Sequence, residues 1–216
     1  MQNDQQPRRL LTRGGARNRR DRVTDRLTPA QCCDLLDVAN AAWDDGQPLN
    51  RFITLAWELG GIDPRENCNA IGAFIKLASD WARRHGFSLA WAWVQEGGKR
   101  YGAHVHLLMH IPPHLDPVFR TMPLRWAKTI LRGAYASGVV DCLRIRGAVN
   151  NLGNPELYWR ALEAKLHYML KAAPPELKAQ MGMTGLGSTK WGKYCKVFGK
   201  RAGQAVWLRK RAKFLK

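Results

Sequence analysis

The residues with the most chemical potential are a pair of histidines and one acid. His104-Val-His106 lies in the run Ala103-His-Val-His-Leu-Leu-Met-His110, whose apolar and β-favouring residues predict a strand. Residues two apart on a strand project from the same face, so both imidazoles point to one spot. Glu96 stands at the end of the preceding predicted strand. The run Glu96-Gly97-Gly98-Lys99 predicts a hairpin turn, which carries that carboxylate back across from the histidines. Two imidazoles and a carboxylate form a nitrogen–oxygen ligand set with open positions, suited to catalysis with Mg2+ or Mn2+.

An isolated His-x-His also fits two polar residues that merely share a face, so other chemistries were weighed. A histidine-triad hydrolase needs a third histidine two residues on, and Leu108 stands there. A two-histidine phosphoesterase needs a second His-x-Ser/Thr, and the sequence contains none. A barrel amidohydrolase needs a longer chain than 216 residues. His110, in register but beyond the pair, reads as a strand-end residue.

The second candidate group lies on a predicted helix over 155–173. At about 100° per residue, Trp159, Leu162, Leu166, Met169, Leu170 and Ala173 share an apolar face. Tyr168 falls about 200° from Leu166, outside that stripe, with Lys165 and Lys171 three residues to either side. A phenol of ordinary acidity is ionised only about one part in a thousand at pH 7. A neighbouring ammonium favours the nucleophilic phenolate and offers a contact to a phosphate. Tyr168 is therefore the candidate nucleophile and Lys171 its aid, with Tyr158 as the fallback.

These residues need a scaffold. Thr28-Pro29 predicts a capped helix to about residue 43, and 51–57 is dense in β-formers. A helix is expected over 67–85, strands over 88–95, 102–111 and 141–146, and a helical stretch over 115–136 broken near Pro123. The order from residue 50 is β-α-β-β-α-β-α. It predicts an α+β fold of the ferredoxin-like or RRM-like kind: a four-stranded antiparallel sheet with helices mainly on one face and basic tails. A last helix is expected near 202–214.

Charge divides the chain. Its formal net charge is +18, yet residues 1–27 hold eight arginines against three aspartates, and residues 177–216 hold eleven Lys or Arg with no acid. The expected organisation is a disordered Arg-rich tail over 1–27, a domain over 28–176 and a basic extension over 177–216. Cationic ends of this kind bind polyanions by counterion release. Lys165, Lys190, Lys193, Lys196, Lys200, Arg201, Arg209, Lys210 and Arg211 are the candidate nucleic-acid contacts. No strongly amphipathic basic helix or long apolar run suggests a membrane, and the N-terminus lacks the apolar stretch of a secretory signal. A cytoplasmic location is expected. The five cysteines form no C-x-x-C pair and read as reduced thiols.

Taken together, the chain resembles the HUH endonuclease superfamily, in particular single-tyrosine rolling-circle replication initiators. Three motifs occur in the family's order over about residues 50–175. They are Phe52-Ile-Thr54-Leu55, then His104-Val-His106 preceded by Glu96, then Tyr168-Met-Leu-Lys171. The resemblance implies a divalent metal and attack by the tyrosine on one strand of single-stranded or hairpin DNA at a replication origin of a plasmid or phage. The products are a 5′-phosphotyrosine and a free 3′-OH, with host helicase and polymerase as further partners. The sequence has no Walker loop, so no helicase domain is expected within it. Histidines preceding the tyrosine favour replication or transposition over a relaxase. The rival from another class is a non-catalytic RRM-like module that binds nucleic acid through Phe52, Trp91 and Trp93.

Overall fold

The computed structural model describes residues 21–133, 135–148, 153–183 and 196–214. Its main feature is a five-stranded antiparallel sheet in the order β5-β2-β4-β3-β7, built from β2 (Arg51–Leu55), β3 (Trp91–Gly98), β4 (Gly102–Met109), β5 (Val140–Arg144) and β7 (Ala202–Gln204). A separate two-stranded ribbon pairs β1 (Val23–Thr24) with β6 (Val197–Phe198).

The helices lie on both faces. On one, α2 (Asn67–Arg84) and α4 (Met122–Leu131) cover Ile53, Leu55, Val105, Leu107 and Met109. On the other, α1 (Pro29–Asp44), α5 (Pro155–Met169) and α7 (Val206–Phe214) cover Phe52, Ala92, Val94 and Leu108. Two short helices, α3 (Asp116–Phe119) and α6 (Pro175–Gln180), complete the set.

This corrects the expected four strands with helices mainly on one face. The second helical layer has a sequence signature. Ile53 and Leu55 face one way and Phe52 the other, just as Leu107 and Met109 oppose Leu108. Strands buried on both faces lose polar/apolar alternation and read as continuous apolar runs.

The tail boundaries also move. Residues 21–27 are not a disordered tail. Val23 and Thr24 form a strand, Leu27 is fully buried, and the Leu27 N–H donates to the Ala172 carbonyl at 2.9 Å. Part of the basic extension packs onto the domain. Ala202–Gln204 supplies the edge strand beside β3, and α7 packs on α1. The last helix therefore starts at Val206 rather than 202, because Ala202–Gln204 pairs with Val94, Trp93 and Ala92 instead.

Local signals held elsewhere. Thr28 caps α1 as expected, its hydroxyl accepting from the Gln31 N–H at 3.2 Å while the Gln31 side chain accepts from the Thr28 N–H at 2.9 Å. Asn154 caps α5 by accepting from the Leu157 N–H at 2.8 Å. Gly147 has φ +77°, and a Cβ there would strike the backbone of Asn154 and Tyr158. Glycine thus lets the loop lie directly against the start of the tyrosine helix.

Candidate functional site

The site forms where β3, β4 and β2 lie side by side beneath α5. Glu96 on β3 is directly opposite His104 on β4, and His106 is flanked by Val94 on β3 and Thr54 on β2. Strand periodicity puts all three side chains on the α5 face. Glu96, His104 and His106 are 1%, 4% and 2% exposed. One potential ligand atom from each lies within 4.8 Å of the others. Glu96 Oε2 is 3.2 Å from His106 Nε2 and 3.5 Å from His104 Nε2.

The far ring nitrogens are tied down. His104 Nδ1 is 2.9 Å from the Gly102 carbonyl, which can only accept, so Nδ1 carries the proton and donates. Nε2 is thereby the ring atom turned toward Glu96. His106 Nδ1 lies 3.1 Å from the Thr54 hydroxyl. Metal-binding histidines are oriented in this way by a partner on the second nitrogen. Gly102 itself is constrained: its φ is +60°, and a Cβ would collide with the Glu58 carboxylate. Glu58 in turn accepts from the Ala103 N–H, pinning the hairpin beside His104.

Burial pushes the Glu96 carboxyl up, but the two imidazoles and Lys171 outweigh it and hold Glu96 below the usual carboxylate range. Burial lowers His106, against the pull of Glu96. The result is an ionised acid beside a neutral imidazole, the protonation states that metal ligands need. Glu96 Oε1 and His106 Nε2 are buried without a hydrogen-bond partner, while Glu96 Oε2 is met by the Lys171 ammonium. Unsatisfied buried polar atoms are costly and uncommon. A metal cation here would satisfy the first two and compete with Lys171 for the third. The buried Glu96-His104-His106 group can therefore hold a metal ion.

Tyr168 closes the site from α5. Its ring meets the His106 ring edge-on, with centroids 4.8 Å apart, and Phe52 stacks on His106 at 5.3 Å. Tyr168 is half-buried against the core. It lies off the buried stripe of α5, as expected, yet faces the cluster. α5 ends at Met169, and Lys171 falls in the 3-10 turn Leu170–Ala172 that follows. That turn brings the Lys171 ammonium over the Tyr168 ring, 4.1 Å from its centroid, and into contact with Glu96 Oε2.

Other expectations resolve differently. Tyr158 cannot serve as the fallback nucleophile: it is fully buried, its hydroxyl is directed at the Leu49 carbonyl at 3.4 Å, and burial pushes its phenol far up. It takes the core position assigned to Trp159, which is half-buried. Gln95, the neighbour of Glu96, lies outside the cluster. It points to the other face, accepting from Asn67 at 2.7 Å and donating to the Phe198 and Lys200 carbonyls at 2.7 and 3.1 Å. His110 is a buried strand-end residue whose Nδ1 meets the Pro48 carbonyl at 2.8 Å.

The basic candidates divide. Arg201 is 2% exposed and donates to the Thr24 carbonyl at 2.8 Å, so it braces the ribbon instead of facing a ligand. Arg209 and Arg211 are exposed but reach back to Asp34 and Asp45 on the α1 side, at 3.6 and 2.9 Å. Lys196, Lys200 and Lys210 are exposed, and Lys165 is half-buried over Phe52. Lys190 and Lys193 lie outside the described residues. Of the aromatics suggested as a stacking surface, Phe52 and Trp93 are 5% and 6% exposed and belong to the core, while Trp91 is half-buried.

Sequence reasoning quoted Thr54 without a role and did not single out Glu58. Only strand register could have placed Thr54 beside His106.

Comparisons with protein-family models, with curated proteins and with solved structures give no match for this chain. Among the described residues, no helix is long and apolar enough to cross a membrane.

Proposed function

We propose that this protein is a metal-dependent DNA nickase and strand transferase of the HUH type, acting as a single-tyrosine replication initiator. The observation that carries this reading is the convergence of a half-buried tyrosine from α5 on a buried Glu-His-His cluster, with a lysine touching both. The fold supports it as well. Counted from β2, four neighbouring strands run in the order 4-1-3-2, with α2 and α4 behind them, as in ferredoxin-like folds.

Glu96, His104 and His106 would hold Mn2+ or Mg2+, and two imidazole donors suit Mn2+ better than the oxygen-seeking Mg2+. When bound, the ion supplies Lewis-acid polarisation of a phosphate oxygen. The Tyr168 oxygen attacks the phosphorus of one strand. A P–O bond to tyrosine forms as the P–O3′ bond breaks. The phenolic proton passes to solvent, and the departing 3′ oxygen takes one up. Lys171 offers positive charge to the phosphate where the attack occurs. Phe52 and Val94 wall His106 from water. The exposed lysines supply sequence-independent attraction for the single strand.

The test is incubation with labelled single-stranded origin DNA in Mn2+. The expected result is a nick that disappears with EDTA and with His104→Ala or His106→Ala, while DNA binding persists. Nicking by the double histidine variant at the wild-type rate would overturn the metal assignment.

A further inference from the structure

The other end of β3 carries a second cavity. Trp91 opens that strand, on the order of 17 Å from Glu96 at about 3.3 Å per residue. The cavity is about 490 Å³, a size suited to small ligands. Three half-buried aromatic residues line it, Phe87, Trp91 and Trp207. The Trp207 indole is fixed in place, donating to the Leu89 carbonyl at 3.2 Å. Two exposed cations, Arg83 and Lys210, stand at its wall. The acid there, Asp80, is already paired with Lys76 at 2.8 Å and Arg83 at 3.0 Å.

We propose that this cavity is a binding site for one nucleotide of single-stranded DNA, separate from the Glu-His-His cluster. Aromatic faces accept any base by stacking, and neighbouring cations accept its phosphate; proteins that track single strands combine these two elements. The charge of the walls selects this occupant. An apolar peptide would match the rings but would desolvate the Lys210 ammonium without an anion to meet it. The site lies beside β7, the sheet edge adjoining β3. The site thus fixes DNA at a distance from the reacting phosphate. Its occupancy does not depend on strand cutting, and it is measured without metal.

Nine tryptophans blur a fluorescence signal, so the readout is the indole N–H resonance of Trp207, assigned through Trp207→Phe in the full chain. Thymidine 5′-monophosphate in EDTA should shift this resonance saturably. Deoxythymidine or inorganic phosphate alone should do so at least about fivefold more weakly. The substitution Lys210→Glu, at an exposed side chain, should raise the apparent Kd on the order of tenfold without changing the melting temperature. No shift at Trp207, unchanged affinity in the charge-reversed protein, or an equal response to an uncharged apolar peptide would each overturn the proposal. Loss of nicking with this site intact would bear on the cleavage reading alone.

Discussion

Replacing Thr54 with valine removes one hydroxyl from beneath His106 while leaving the branched shape of the side chain. The lost contact is the 3.1 Å approach of Thr54 Oγ1 to His106 Nδ1, in a ring only 2% exposed. A buried polar group left unsatisfied costs about 1–3 kcal/mol. A metal held through Nε2 requires the proton on Nδ1, where the Thr54 hydroxyl accepts it; without that acceptor the imidazole moves its proton to Nε2, the atom directed at Glu96. That tautomer cannot ligate a metal through Nε2, so the cost passes into metal binding. At 1.4 kcal/mol per factor of ten, the expected loss in Mn2+ affinity is about five- to a hundredfold, matching the usual effect of removing such a partner. Calorimetric titration of the purified protein with Mn2+ measures the affinity, and the ring nitrogen shifts of His106 report the tautomer. Thr54→Ser keeps the hydroxyl and should retain most of the affinity. Wild-type affinity and tautomer in Thr54→Val would refute the reasoning.

Three further perturbations separate the parts of the account. Lys171→Met removes the ammonium that contacts Glu96, so Mn2+ should bind about tenfold more tightly by the worth of a charged hydrogen bond, while nicking slows; weaker Mn2+ binding would contradict the placement of Lys171. Gly102→Ala forces a Cβ into Glu58 at φ +60° and should destabilise the fold by about 1–3 kcal/mol, read by denaturant titration. Deleting 1–27 removes β1 and buried Leu27 and should lower the melting temperature by about 5–10 °C, from roughly 2–3 kcal/mol of lost burial.

The cluster was legible because a strand has a rigid period of two. With 102–111 as a strand and 96–99 as a hairpin turn, Glu96 returns across from the histidines, and the register pairs it with His104. The tyrosine helix was legible to within one residue of phase. Tyr158 and Trp159 exchanged places because a helix with aromatics at both positions defines its stripe loosely. The ends were not legible. Ala202-Gly-Gln204 has little β propensity and becomes a strand only because β3 offers a free edge. The C-terminal charge run reads as nucleic-acid-binding because counting charges says nothing about partners within the chain; Arg209 and Arg211 reach Asp34 and Asp45, more than a hundred residues earlier. Both-face burial of the sheet was written in the apolar runs 52–55 and 107–109, but the β-α-β-β-α-β order drew attention to one helical layer.

The central claim is that Tyr168 becomes covalently joined to DNA. Wild-type protein incubated with a labelled single strand containing the origin and Mn2+ should yield a denaturant-resistant band, shifted by the mass of the attached fragment. Tyr168→Phe removes only the hydroxyl and should keep the fold while losing the band. Peptide mapping of the adduct should return Tyr168; a wild-type adduct on another residue, or an undiminished adduct in Tyr168→Phe, would contradict the assignment.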